Sequence, residues 1–122
     1  KDFKAKLIKG RNHWHQCLAA MGLSWRQRCE RGQPVDVPVI DLGPAQLLLL
    51  PGESYVEYQL AAQKMRPDSF VLVAGYGEGG TGYIPTKKHW EEKDGNLGDW
   101  CWVHPGAEKV MLKAIRKALV GP

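Results

Sequence analysis

The sequence predicts an α/β fold, with α+β as its variant: one layered domain in the order α-β-β-α-β-(α)-α, a small mixed sheet with flanking helices. Three observations carry this. Apolar residues recur at helical spacing near both ends, two apolar runs after residue 35 read as strands, and a helical stretch separates them from a third. A chain of 122 residues supports one modest core and leaves no room for a second domain.

Residues 1–32 read as a helical segment. Asp2 is placed to cap it, and Trp14, Leu18, Met21, Trp25 and Cys29 make one stripe. Gly10 and Gly22 weaken it enough to predict two pieces, and Gly32 with Pro34 stops it. Val35–Leu42 is β-branched, with Val35, Val37 and Val39 on one face. Gly43-Pro44 is a turn, and Ala45–Leu50 is a second strand. Its unbroken Leu47–Leu50 run predicts burial on both faces.

After Pro51-Gly52, residues Glu53–Arg66 read as a helix with Tyr55, Tyr58, Ala62 and Met65 on one face. Ser69–Ala74 is a short buried strand, and Gly75–Gly82 a glycine-rich loop. Thr86 caps a short helix over Lys87–Glu92, and Asp94–Asp99 is a polar loop leading to Trp100 and Trp102. Ala107–Leu119 is amphipathic. Ala107, Val110, Met111, Ala114, Ile115 and Ala118 face inward, and Lys109, Lys113, Arg116 and Lys117 outward.

Composition is that of a globular protein, 43% hydrophobic and 25% charged, with a net charge of +4. The cations are spread along two helical segments rather than clustered, so nucleic acid is not an expected partner. The longest apolar run is far shorter than a membrane span. Lys1–Lys9 is basic with no apolar run behind it, so no signal peptide is read and no compartment follows. Cys17, Cys29 and Cys101 are odd in number and lack a C-x-x-C spacing, which points to reduced thiols.

Two strand ends could hold chemistry: Leu-Pro-Gly-Glu at 50–53 and the glycine-rich stretch at 74–83. Glu53 reads either as an acidic first-turn residue of a helix or as a metal ligand aimed by the rigid turn before it. Gly75, Gly77 and Gly80 formally make G-x-G-x-x-G. A dinucleotide site needs a helix to open directly after it, and Pro85 biases this stretch against one. The glycines instead predict a close-packed turn, with Gly77, Glu78 and Gly80 as candidate site-loop residues near Tyr83. His13 and His15 lie roughly 200° apart on a helix and make a weak joint ligand pair. His89 and His104 have no partner at useful spacing.

Three stretches taken together resemble consecutive motifs of the neutral/alkaline (non-lysosomal) ceramidase family, closest to its bacterial ceramidase-like members. They are Leu-Pro-Gly-Glu-Ser-Tyr-Val-Glu-Tyr-Gln-Leu-Ala-Ala-Gln (50–63), Arg-Pro-Asp-Ser-Phe-Val-Leu-Val-Ala-Gly-Tyr-Gly-Glu-Gly-Gly (66–80) and Gly-Tyr-Ile-Pro-Thr (82–86). The likeness runs over residues 35–119 and implies the C-terminal part of a larger catalytic domain. It implies a zinc cofactor held by Glu53, by Tyr83 and by two histidines expected upstream of Lys1. It further implies hydrolysis of the N-acyl bond of ceramide or a related lipid amide. The family's serine-bearing segment is also expected upstream, so the chain alone is expected to be catalytically silent. A downstream Tyr-Glu pair of the family is replaced by Lys93-Asp94-Gly95-Asn96, which implies loss of a substrate-polarising tyrosine.

The alternative reading is a non-catalytic binding module. The basic face of the last helix, with Trp90, Trp100 and Trp102, then serves a partner or a peripheral membrane contact. Strand edges bared by the absence of an upstream portion imply self-association.

Overall fold

The computed structural model describes residues 2, 4, 5, 9 and 12–121. Helix α1 spans His13–Glu30, strand β1 Val39–Asp41, β2 Ala45–Pro51 and β3 Glu53–Ser54. Helix α2 spans Val56–Met65, β4 Phe70–Gly77, β5 Tyr83–Ile84 and helix α3 Lys87–Glu91. A 3₁₀ turn at Gly95–Leu97 precedes helix α4, Ala107–Val120. The domain is α/β as predicted, and its mixed sheet has the order β1-β2-β4. β1 runs antiparallel to β2, and β2 parallel to β4; β3 and β5 form a separate parallel pair.

Asn12 opens α1, its side chain accepting the His15 amide at 3.1 Å. Asp2 Oδ1 likewise accepts the Ala5 amide at 3.0 Å, the capping role expected of it. The predicted break at Gly22 is absent, and α1 runs through it unbroken; Gly10 lies outside the described residues. Gly22 is buried with Leu18 and Ala19. The buried face is therefore not the predicted stripe: Trp14, Met21 and Cys29 are exposed.

β1 is shorter than the predicted 35–42 strand. Pro34 and Pro38 donate no ladder hydrogen bond, and Pro38 contributes only its carbonyl, to the Leu49 amide at 3.0 Å. Within β2 the leucines alternate. Leu48 and Leu50 are buried and Leu47 and Leu49 half-buried, so burial on both faces does not hold. β4 begins near the predicted residue but continues through Gly77, absorbing the first part of the expected glycine loop.

The core lies on one side of this sheet. Leu48, Leu50 and Val71 meet Tyr58 and Ala62 of α2, Met111, Ile115 and Leu119 of α4, and Ile84 of β5. Tyr58 is fully buried and donates its hydroxyl to the Pro85 carbonyl at 3.0 Å. Arg66 reaches the Leu119 carbonyl at 2.6 Å, satisfying an end-of-helix acceptor of α4. Glu108 accepts the Lys87 amide at 3.0 Å and so ties α4 to the start of α3. Val110, predicted to face inward, is 70% exposed. On the opposite sheet face Ile40, Phe70 and Leu72 remain exposed, as the register with Leu47 and Ala45 requires.

Ile115→Ala is expected to cost about 3–4 kcal/mol, because it empties a site with no solvent access. Tyr58→Phe, which strands the Pro85 carbonyl, should cost about 1–2 kcal/mol. Urea denaturation of the two variants against the parent measures both.

Candidate functional site

The site forms where the carboxyl ends of β2 and β4 meet the β3–β5 pair. Three backbone segments close on one another there. The Glu53 amide donates to the Gly82 carbonyl at 3.0 Å, the Tyr83 amide to the Trp100 carbonyl at 2.8 Å, and the Trp102 amide to the Thr81 carbonyl at 3.2 Å. Glycine makes this approach possible. A Cβ on Gly52 would collide with Thr81 Oγ1 and come within 2.7 Å of the Gly82 carbonyl, and Gly52 adopts φ +54°. A Cβ on Gly82 would strike the Trp100 carbonyl.

This packing changes the predicted start of the central helix. Glu53 and Ser54 are strand, not first helical turn, and α2 begins only at Val56. The left-handed Gly52 turns the chain toward β5, and Ser54 Oγ holds the turn by donating to the Pro51 carbonyl at 2.7 Å. In the parallel register Glu53 stands opposite Tyr83, so both side chains leave the same face. The two residues expected to share a site are therefore neighbours across one ladder.

Aromatic donors ring the Glu53 carboxylate. Trp100 Nε1 donates to Oε1, and the Tyr76 hydroxyl to Oε2 at 3.5 Å. The Glu53 charge, followed by partial burial and a hydrogen bond to the same carboxylate, raises the Tyr83 phenol above its ordinary value of 10.0.

Behind Tyr83 stands a second group. The Tyr55 ring meets Tyr83 edge-on at 5.9 Å and His89 at 4.3 Å. Its hydroxyl donates to Asp94 Oδ2 at 2.8 Å, and burial first, then this bond, pushes the phenol up to about 12. The Asn96 amide donates to Asp94 Oδ1 at 2.9 Å, and with Tyr55 it holds the Asp94 carboxyl below its ordinary 3.8. His89 has both ring nitrogens engaged, Nδ1 with Thr86 Oγ1 at 2.8 Å and Nε2 with Glu57 Oε1 at 3.4 Å. The expected Thr86 cap therefore takes another form: its hydroxyl serves His89 and makes no capping bond to the α3 backbone.

Tyr55, Tyr76, His89 and Asp94 were not among the site residues expected from sequence, and Trp100 was expected only as part of a partner- or membrane-contacting set. The long-range partners left no local pattern.

The glycine-loop residues separate. Gly77 lies in β4, where a Cβ would come within 2.9 Å of the Leu50 carbonyl, so its smallness serves sheet packing. Gly80 faces open space. Glu78 turns away from Glu53 toward α1 and accepts from Arg28 Nη2 at 2.7 Å and from the Asp36 amide at 3.4 Å. It is an anchor for the helix. Trp14, at the other end of α1, stacks on Trp100 at 5.5 Å.

Strand β5, not a helix, follows the G-x-G-x-x-G stretch, so no helix N-terminus faces it. His13 and His15 are exposed, and His15 pairs with Asn12. Cys17 and Cys29 are exposed thiols, and Cys101 is buried.

Glu53 and Tyr83 offer a carboxylate and a phenol side by side, a donor pair with the chemistry zinc accepts. Among the described residues no group of three or more His, Cys, Asp or Glu gathers around a common point. The pair fits zinc as part of a larger ligand set. Compared with known proteins, the chain matches no family model, no curated protein and no solved structure.

Gly52→Ala is expected to cost about 3 kcal/mol or more, since left-handed strain and collision add. Gly32→Ala is the reference. Its φ is +65° with nothing within 4 Å, so strain alone should cost about 1–2 kcal/mol. Equal losses in urea denaturation would remove the close-approach argument.

A second test concerns acid. The Arg28 guanidinium holds the Glu78 carboxyl below its ordinary 4.5. The unfolded chain thus takes up this proton at higher pH than the folded one. The stabilisation is present above the ordinary value and is lost as pH falls through the lowered folded one. Glu78→Gln should flatten part of the acid-side fall in melting temperature, and parallel curves for the two proteins would deny the anchor that share.

Proposed function

We propose that this chain carries part of the active site of a zinc-dependent amide hydrolase of the neutral ceramidase kind. Glu53 and Tyr83 are two of its metal ligands, and a lipid amide is its substrate class. The observation that carries the reading is the pairing of Glu53 with Tyr83 across the β3–β5 ladder. Residues separated by a helix and a long strand are brought to one face, and they are the two that the motif resemblance names.

Bound zinc supplies a Lewis acid that polarises an amide carbonyl and lowers the pKa of a coordinated water. The chain's own residues do the positioning. Trp100 fixes one oxygen of the Glu53 carboxylate and leaves the other toward the open side, where Tyr76 stands. Tyr55, itself locked onto Asp94, sets the plane of the Tyr83 ring through their edge contact. The exposed rings of Trp14 and Tyr76 give the mouth an apolar rim suited to a substrate with a hydrocarbon portion. In this reading the histidine ligands come from elsewhere in the polypeptide.

Calorimetric titration of the 122-residue chain with zinc alone is expected to give weak binding. Its free energy should fall far short of the roughly 10–16 kcal/mol of complete structural sites. Glu53→Ala should abolish it and Tyr83→Phe should weaken it. A polypeptide that also supplies the two histidines should bind one zinc tightly and hydrolyse an N-acyl lipid amide, losing both with Glu53→Ala. Zinc binding indifferent to both substitutions, or clear N-acyl hydrolysis by the pure 122-residue chain, overturns the proposal.

A further inference from the structure

Tyr76 sits in a backbone conformation that its side chain does nothing to favour. Its φ is +58°, in the left-handed region where a bulky residue is a genuine outlier. Glycine flanks it on both sides, and Gly77 is required by close approach to the Leu50 carbonyl. The strained position between them therefore carries a tyrosine where glycine would sit without penalty.

The strain comes from a bulge. From Leu49 to Pro51, β2 advances two residues, while its partner β4 advances three from Ala74 to Gly77. The extra residue lies in the Gly75–Tyr76 stretch, and bulges of this kind re-aim a side chain at the end of a ladder. The Tyr76 amide is clamped to the Gly52 carbonyl at 2.8 Å, which locks the bulge onto the turn that carries Glu53.

Packing supplies no compensation. Tyr76 is 78% exposed, so the ring contributes little to the core in return for the strain. What the conformation achieves is delivery of the hydroxyl to Glu53 Oε2, the oxygen that Trp100 leaves free. Strain held at a bulge without a packing return is the pattern of a functional position.

We infer that Tyr76 is a positioning residue for Glu53: the bulge delivers its hydroxyl to the outer carboxylate oxygen and sets the direction in which that oxygen is presented. The inference rests on the reading of Glu53 as a metal ligand. Tyr76 is then the outer-sphere partner that aims the ligand, opposite Trp100, and the tyrosine is kept at a site where glycine would fold more easily.

The test compares the parent chain with Tyr76→Gly, Tyr76→Phe and Glu53→Ala, by thermal melting and by calorimetry with zinc alone. Tyr76→Gly should melt at the parent temperature or above it, because strain is relieved and little packing is lost. Tyr76→Gly and Tyr76→Phe should each weaken zinc binding by roughly 10-fold, the usual effect of removing an outer-sphere partner. A Tyr76→Gly melting point several degrees below the parent makes the residue structural and overturns the inference. Parent-like zinc affinity in both Tyr76 variants, with Glu53→Ala abolishing it, overturns the inference and leaves the metal reading standing. Parent-like affinity in Glu53→Ala removes the metal reading, and the inference with it.

Discussion

The whole candidate site depends on three backbone segments approaching more closely than side chains allow. Gly52 and Gly82 are the points of contact, one against Thr81 and the other against the Trp100 carbonyl. Each sits at positive φ, so each both turns the chain and clears the space. From this contact follow the β3–β5 ladder, the strand state of Glu53, and the arrival of Trp100 beside its carboxylate. Without it, residues 53–55 would be free to join the helix that begins at Val56.

The rest of the domain holds that contact in place from one side. α2 and α4 cover a single face of the β1-β2-β4 sheet, with Ile115, Tyr58 and Leu48 among its fully buried side chains. Tyr58 links the two regions directly, since its ring lies in the core and its hydroxyl holds Pro85, just after β5. The site therefore sits at the rim of the core. There a rigid scaffold meets half-exposed aromatic side chains, an arrangement that suits a binding edge better than an enclosed cavity.

The element order and the amphipathic last helix were legible in the sequence because both rest on local periodicity. Glu53 and Tyr83 were singled out by their places at strand ends and by the linked motifs, and the ladder that joins them leaves no periodic trace. Three features were misjudged. Glu53–Tyr55 has helical neighbours, but the turn at Gly52 committed it to a strand pairing with a segment some thirty positions away. The leucine run promised burial on both faces, yet helices cover only one of them. Glu78 looked like a site acid because of its loop, whereas its partner Arg28 lies fifty positions earlier on α1. For Glu53 and Glu78 a long-range contact outweighed the local signal.

Helix α1 meets the site wall at two places. Trp14 lies on Trp100 near its start, and Arg28 grips Glu78 and the Pro34 carbonyl near its end. A rod pinned at two points acts as a splint on what lies between them. Here the splinted part includes the indole that aims Glu53 and the loop that follows the Tyr76 bulge. Peeling back the first turn of α1 would take Trp14 off Trp100, and peeling back the last would release Glu78, so the helix and the wall of the site are held by the same contacts.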